Sequence, residues 1–143
     1  MNTSLRPQGS VTVSNALLRC GELRITSWWP SGGTVPTLEA GLVTLLSGAV
    51  AEVTSIYKND DPISTVAFNG GLLRARQAST NFLNAEQAYG TLRVLAGAGQ
   101  YVALDTQGFG VTVAKPGGKL TVTGAGGLKK FGSGTLTFSA NQV

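Results

Sequence analysis

One pattern dominates this chain: a glycine followed by apolar residues at the second and fourth positions after it. It recurs six times, as G-E-L-R-I from Gly21, G-L-V-T-L from Gly41, G-L-L-R-A from Gly71, G-T-L-R-V from Gly90, G-K-L-T-V from Gly118 and G-T-L-T-F from Gly134. Alternate side chains of an extended strand share a face, so each copy sends its apolar pair to one side and the residue between them to the other. A strand this short cannot bury that pair alone. Stacked at an inter-strand spacing of roughly 4.7–4.9 Å, successive copies cover one another and build ladders of Leu and Val inside, with Thr and Arg outside. The motif glycine is expected at a tight turn where a side chain would clash. The pattern therefore predicts an all-β chain wound as a parallel β-solenoid. Its glycines are spaced 20, 30, 19, 28 and 16 residues apart. Several steps fall near one short period, and the two longest leave room for inserted loops. At roughly 20 residues per coil the chain makes about seven short coils and a rod on the order of 30 Å long. A β-sandwich, which also strings short strands between turns about every 8–12 residues, is the competing architecture.

The rest of the chain also reads as strands. Short alternating runs such as V-T-V from Val11, T-V-A-F from Thr65, Y-V-A-L from Tyr101 and V-T-V from Val111 lie between Gly or Pro punctuation. One helical turn is expected over residues 79–89, where Ser79 or Thr80 would cap and Phe82, Leu83, Ala85 and Ala88 would form an apolar stripe. At 143 residues, 42% hydrophobic and 13% charged, the chain suits a single core-bearing module over residues 1–143, not a disordered tail or a coiled coil. It has no histidine, which removes imidazole general bases, Ser-His-Asp triads and His-ligated zinc. Cys20 is the single cysteine and, between Arg19 and Gly21, lacks C-x-x-C spacing, so it reads as a small apolar filler. No signal-peptide run is visible, and the longest mostly apolar stretch, residues 41–51, is roughly half of what a membrane helix needs. A soluble piece of something longer, with no transmembrane segment, is expected.

From Thr65 onward the repetition becomes more specific. The chain reads V-A-F-N-G-G-L-L-R-A, T-N-F-L-N and D-T-Q-G-F-G-V-T-V-A, then G-A-G-G-L-K-K-F-G-S-G-T-L-T-F-S-A-N ending at Asn141. This last stretch resembles the segment G-G-L-x-K-x-G-x-G-T-L-x-L-x-G-A-N of the passenger-associated, autotransporter β-strand repeat family. The resemblance covers residues 63–143, while residues 1–62 carry weaker repeats and an expected N-terminal cap. It implies a right-handed parallel β-helix in the passenger of a bacterial surface or secreted protein, exported through an outer-membrane β-barrel. The chain departs from that plan in showing neither a signal sequence nor a barrel, and it stops where the family continues with another strand and turn. A fragment or isolated module, extracellular or at the bacterial cell surface, is the implied setting.

Chemistry-bearing residues are sparse. The carboxylates are Glu22, Glu39, Glu52, Asp60, Asp61, Glu86 and Asp105. Sugar-cleaving β-helices need clustered acids. Asp60 and Asp61 precede Asp105 by 45 and 44 residues, about two coils, so all three could approach Arg74 or Arg76. Yet Asn59-Asp60-Asp61-Pro62 and Asp105-Thr106-Gln107-Gly108 are turn compositions. The Gly-rich segments lack the Lys-Ser or Lys-Thr ending of a phosphate-binding loop. No catalytic residue, metal or cofactor is therefore expected, and the chain reads as non-enzymatic. Arg74, Arg76 and Arg93, with Lys115, Lys119, Lys129 and Lys130, could align as a positive stripe for anionic glycans. Nucleic acid is not expected, because aromatics are not interleaved with that charge. Trp28 and Trp29 are adjacent and cannot both face inward along a strand, so they form either a cap or an exposed binding platform. The candidate ligand-binding residues are thus Trp28, Trp29, Arg74, Arg76 and Arg93, with a host glycan or protein as partner. A stiff scaffold presenting an adhesive surface is the expected function. The alternatives are a tailspike-like module that binds or cleaves carbohydrate and a self-assembling subunit joined end to end through its terminal coils, where residues 135–138 are uncharged.

Overall fold

Short alternating runs need neighbours to cover them, and the chain supplies these by returning to the same three faces five times. The computed structural model describes residues 9–25, 39–58, 63–85, 91–113 and 119–139. The first rung holds β1 (Gly9–Val13), β2 (Leu17–Arg19) and β3 (Glu22–Arg24). The second holds β4 (Glu39–Leu46), β5 (Val50–Val53) and β6 (Ser55–Lys58). The third holds β7 (Ile63–Asn69), β8 (Leu72–Ala75) and β9 (Ser79–Ala85). The fourth holds β10 (Thr91–Ala96), β11 (Val102–Asp105) and β12 (Val111–Val113). The fifth holds β13 (Lys119–Thr123), β14 (Leu128–Phe131) and β15 (Leu136–Phe138). Sheet A takes the first strand of every rung, sheet B the second and sheet C the third, each sheet having five strands.

Every strand pairing between rungs is parallel, which excludes the sandwich. The fold is a parallel β-helix. Among the described residues it has five rungs, not the seven or so expected from glycine spacing. Val13 lies beside Leu45, 32 residues on; Leu45 lies beside Phe68, 23 on; Leu92 lies beside Leu120, 28 on. The shorter period arose because the six motifs sit on different faces. Those from Gly41, Gly90 and Gly118 run through β4, β10 and β13 of sheet A, that from Gly71 through β8 of sheet B, and those from Gly21 and Gly134 through β3 and β15 of sheet C. Steps between them mix whole turns with fractions of a turn.

In-register pairing aligns like residues into columns. Val11, Val43, Val66, Val94 and Val122 form one column of sheet A, and Val13, Leu45, Phe68 and Ala96 form the next. Sheet C contributes Leu23, Ile56, Leu83, Val113 and Phe138. The valine column is sealed in the middle and open at its ends: Val66 is 0% exposed, whereas Val11 and Val122 are 42% and 45% exposed. Bulky Phe68 lies beside small Ala96, which keeps the interior filled without strain.

The motif glycines serve packing more than turning. A Cβ on Gly71 would lie 2.6 Å from Leu45 Cβ, and one on Gly134 would strike the Phe109 carbonyl oxygen, so these are places where two layers of backbone approach closely. Gly21 has open space around it and needs no such reason.

The helical turn expected over residues 79–89 is strand where it is described. β9 carries extra residues: Ser79 and Leu83 oppose Val111 and Val113, four positions on one strand against two on the other. That bulge lets consecutive Phe82 and Leu83 both turn inward, imitating the spacing of an apolar helical stripe. The Ser79 hydroxyl accepts the Asn81 N–H at 3.2 Å, the local bond that resembles a helix cap in sequence.

Because Phe68 is sealed in the middle rung and Val11 is open at an end, truncation should be graded along the axis. Phe68→Ala is expected to cost about 3–5 kcal/mol of unfolding free energy in urea denaturation, and Val11→Ala under about 1 kcal/mol. Equal costs would mean that the rungs do not stack as described.

Candidate functional site

Outward positions are the ones a solenoid leaves free for function, and the sheets differ sharply there. Sheet A presents Ser10, Thr12, Thr44, Thr121 and Thr123 among its outward residues, interspersed with Leu42, Ala67, Leu95 and the half-buried Arg93, while Thr65 in the same column is covered. Hydroxyl-bearing β-branched side chains suit a pleated surface, and here they share it with a few apolar neighbours.

Sheet B is different. Its outward column runs Arg19, Glu52, Arg74 and Asp105, alternating in sign from rung to rung. Arg19 grips Glu52 with both ends of its fork, Nε to Oε1 at 3.0 Å and a terminal nitrogen to Oε2 at 3.3 Å. Arg74 Nε meets Asp105 Oδ2 at 3.1 Å. Asp105 Oδ1 accepts the Gln107 N–H at 2.9 Å, so the turn expected at Asp105 and its approach to Arg74 are both present. Each of the two ion pairs ties one rung to the next along the axis. A neighbouring outward column of Leu17, Val50 and Leu72 gives this face an apolar strip beside the charges.

The arginines singled out in the sequence do not converge. Arg74 faces out from sheet B within its ion pair, Arg76 lies exposed just beyond β8, and Arg93 is half-buried on sheet A. The single positive stripe is therefore replaced by separate cations on separate faces. Trp28 and Trp29, and Asp60 and Asp61, lie outside the described residues, as does Lys115.

Cys20 is half-buried against the core, and burial pushes its thiol above the ordinary range, partly offset by the Arg76 charge. This holds it as a neutral filler instead of a thiolate. On sheet C, Arg24 donates to Glu22, whose hydrogen bond and charge raise its already high pKa, and it lies over the Tyr57 ring at 5.3 Å. Among the described residues no group of three or more His, Cys, Asp or Glu could hold a metal ion, and no helix is long and apolar enough to cross a membrane.

The charge ladder escaped the sequence reading because its members are 33, 22 and 31 residues apart, steps that acquire meaning only once the rung lengths are known. No protein-family model, curated protein or solved structure matches this chain.

A double-mutant cycle on Arg74→Ala and Asp105→Ala should give a coupling of about 0.5–1 kcal/mol that shrinks in molar salt, the size of a partly exposed pair. No measurable coupling would show that the two side chains are solvated independently.

Proposed function

We propose that this chain is a non-enzymatic structural module of a bacterial surface or secreted passenger of the autotransporter type, a stiff β-helical scaffold whose outer faces present an adhesive surface. The observation that carries this reading is the unbroken stack of in-register columns, Val11 through Val122. A stack of this kind resists bending because every rung is hydrogen-bonded and packed to its neighbours. The Thr-rich face of sheet A adds support, as does the similarity of the segment ending at Asn141 to the passenger repeat. The cleaving alternative needs carboxylates available to a sugar. Both oxygens of Asp105 are already engaged by Arg74 and the Gln107 amide, which favours the scaffold.

Beads coated with the full chain are expected to adhere to cultured cell monolayers, and beads coated with a Phe68→Asp variant, its core broken, to wash off. Incubation with a polysaccharide panel should release neither reducing ends nor unsaturated uronates. Catalytic release, or adhesion indifferent to unfolding, would overturn the proposal.

The open ends favour a second reading, end-to-end self-association. Val11 is exposed at one end, and Val122, Leu128 and Phe138 at the other. Against it, Lys130 stands in the inward column of Leu18, Ala51, Leu73 and Leu104, a charge that discourages pairing on that edge of sheet B. Sedimentation across a wide concentration range should show association that strengthens in Lys130→Leu. A concentration-independent monomer in both proteins would remove the reading.

A further inference from the structure

Outward positions near the last two rungs of sheet B hold an aromatic pair that the solenoid does not need for its core. Val102 and Leu104 are buried, so Tyr101 shares the outward side with Ala103 and Asp105. The register then sets Lys129 beside Ala103 and Phe131 beside Asp105. Tyr101 and Phe131 are 48% and 42% exposed. Lys129 extends between them, its Nζ 5.0 Å from the Tyr101 ring centre and 5.7 Å from that of Phe131. The two rings and the ammonium thus form one small outward platform.

Among the described residues, nothing compensates the charge on that platform. Of the described carboxylates, Glu22, Glu52 and Asp105 are each paired with an arginine. Among the described residues no carboxylate reaches Lys129 or Lys130, and Lys130 Nζ donates to the Gly132 carbonyl at 2.6 Å. A cation over ring faces keeps N–H groups free to bind an anion, since the rings attract it without accepting strong hydrogen bonds. Exposed ring faces, negative at their centres, attract the polarised C–H groups of a pyranose.

We propose that Tyr101, Lys129 and Phe131 form a binding site for an acidic saccharide. One uronate residue would place its carboxylate on the Lys129 ammonium and the C–H face of its ring against Tyr101 or Phe131. The site rests on the reading of this chain as a surface-presenting module and names the ligand class that the surface takes. A neutral sugar would cover the ammonium without answering its charge, at a desolvation cost. Single-stranded nucleic acid would require a basic groove following several phosphates. Of the outward cations on sheet B, Arg74 and the more distant Arg19 are already neutralised by Asp105 and Glu52, and Arg76 is a single exposed charge just beyond β8, not a row of them. Outward positions lie beside the helical axis instead of across it, so stacking of further rungs would leave this platform open.

The test is titration calorimetry of the full chain with a galacturonate hexamer, a neutral glucose hexamer and a short oligothymidylate. The galacturonate hexamer is expected to bind and the other two to bind weakly or not at all. Lys129→Gln, which keeps the stem over the rings and removes the charge, should weaken binding by about tenfold or more. Lys129→Arg should stay close to wild type, and Tyr101→Ala and Phe131→Ala should each weaken binding with the thermal melt preserved. No binding of galacturonate, equal binding of glucose or oligothymidylate, or indifference to all four substitutions would overturn the site. Beads that adhere to cells while the chain ignores uronates would refute this site and leave the scaffold reading intact. Uronate binding without adhesion would do the reverse.

Discussion

Parallel in-register pairing between successive rungs is the constraint from which the rest of this molecule follows. It satisfies the backbone donors and acceptors of short strands that could not stand alone. It also places residue over residue, so the choice made at one rung limits the choice at the next. Valine recurs through all five rungs of one column for that reason: a β-branched side chain of constant size neither leaves a void nor crowds the copy above it. Where size changes it does so in compensation, as with Phe68 beside Ala96.

The same alignment governs charge. A repeated lysine or arginine in an outward column would stack like charges at strand spacing, an arrangement that destabilises a sheet. Sheet B avoids it by alternating Arg19, Glu52, Arg74 and Asp105, and each pair that forms also reports correct register. A slip of one residue would turn these charges toward the interior and the Leu and Ala of the neighbouring column toward solvent. The ladder therefore discriminates among registers more strongly than its modest contribution to stability suggests.

How much of this was legible beforehand depended on whether the signal was local. The alternation in G-L-V-T-L and G-L-L-R-A marks the strands directly, and the buried residues at Val43, Leu45, Leu73 and Ala75 are the apolar pairs it names. The number of rungs was not local. Glycine motifs look alike on all three sheets, because close backbone approach at Gly71 and at Gly134 calls for the same residue on different faces. Over residues 79–85, Phe82 and Leu83 suggested a helix because adjacent inward residues break strand alternation; the bulge in β9 supplies a break that periodicity alone cannot distinguish from a turn. Arg74 and Asp105 were individually visible, while their place in a four-member column was not. The Tyr101, Lys129 and Phe131 platform was hidden for the same reason, since its members are drawn together by register from two rungs.

That division between inward and outward columns has a consequence for what such a chain can become. Inward positions are coupled through the core, so altering one disturbs the packing of at least the rungs on either side. Outward positions are coupled mainly through short-range pairs, and substitutions there carry small energetic penalties unless an ion pair is broken. A Thr-rich face such as that of sheet A can therefore accept rings or cations without refolding the rod. On sheet B, Arg19 and Arg74 are paired with carboxylates, whereas among the described residues Lys129 lies beside two exposed rings with no carboxylate partner. Outward positions whose side chains stacking has not already satisfied are therefore the ones free to change without cost to the fold.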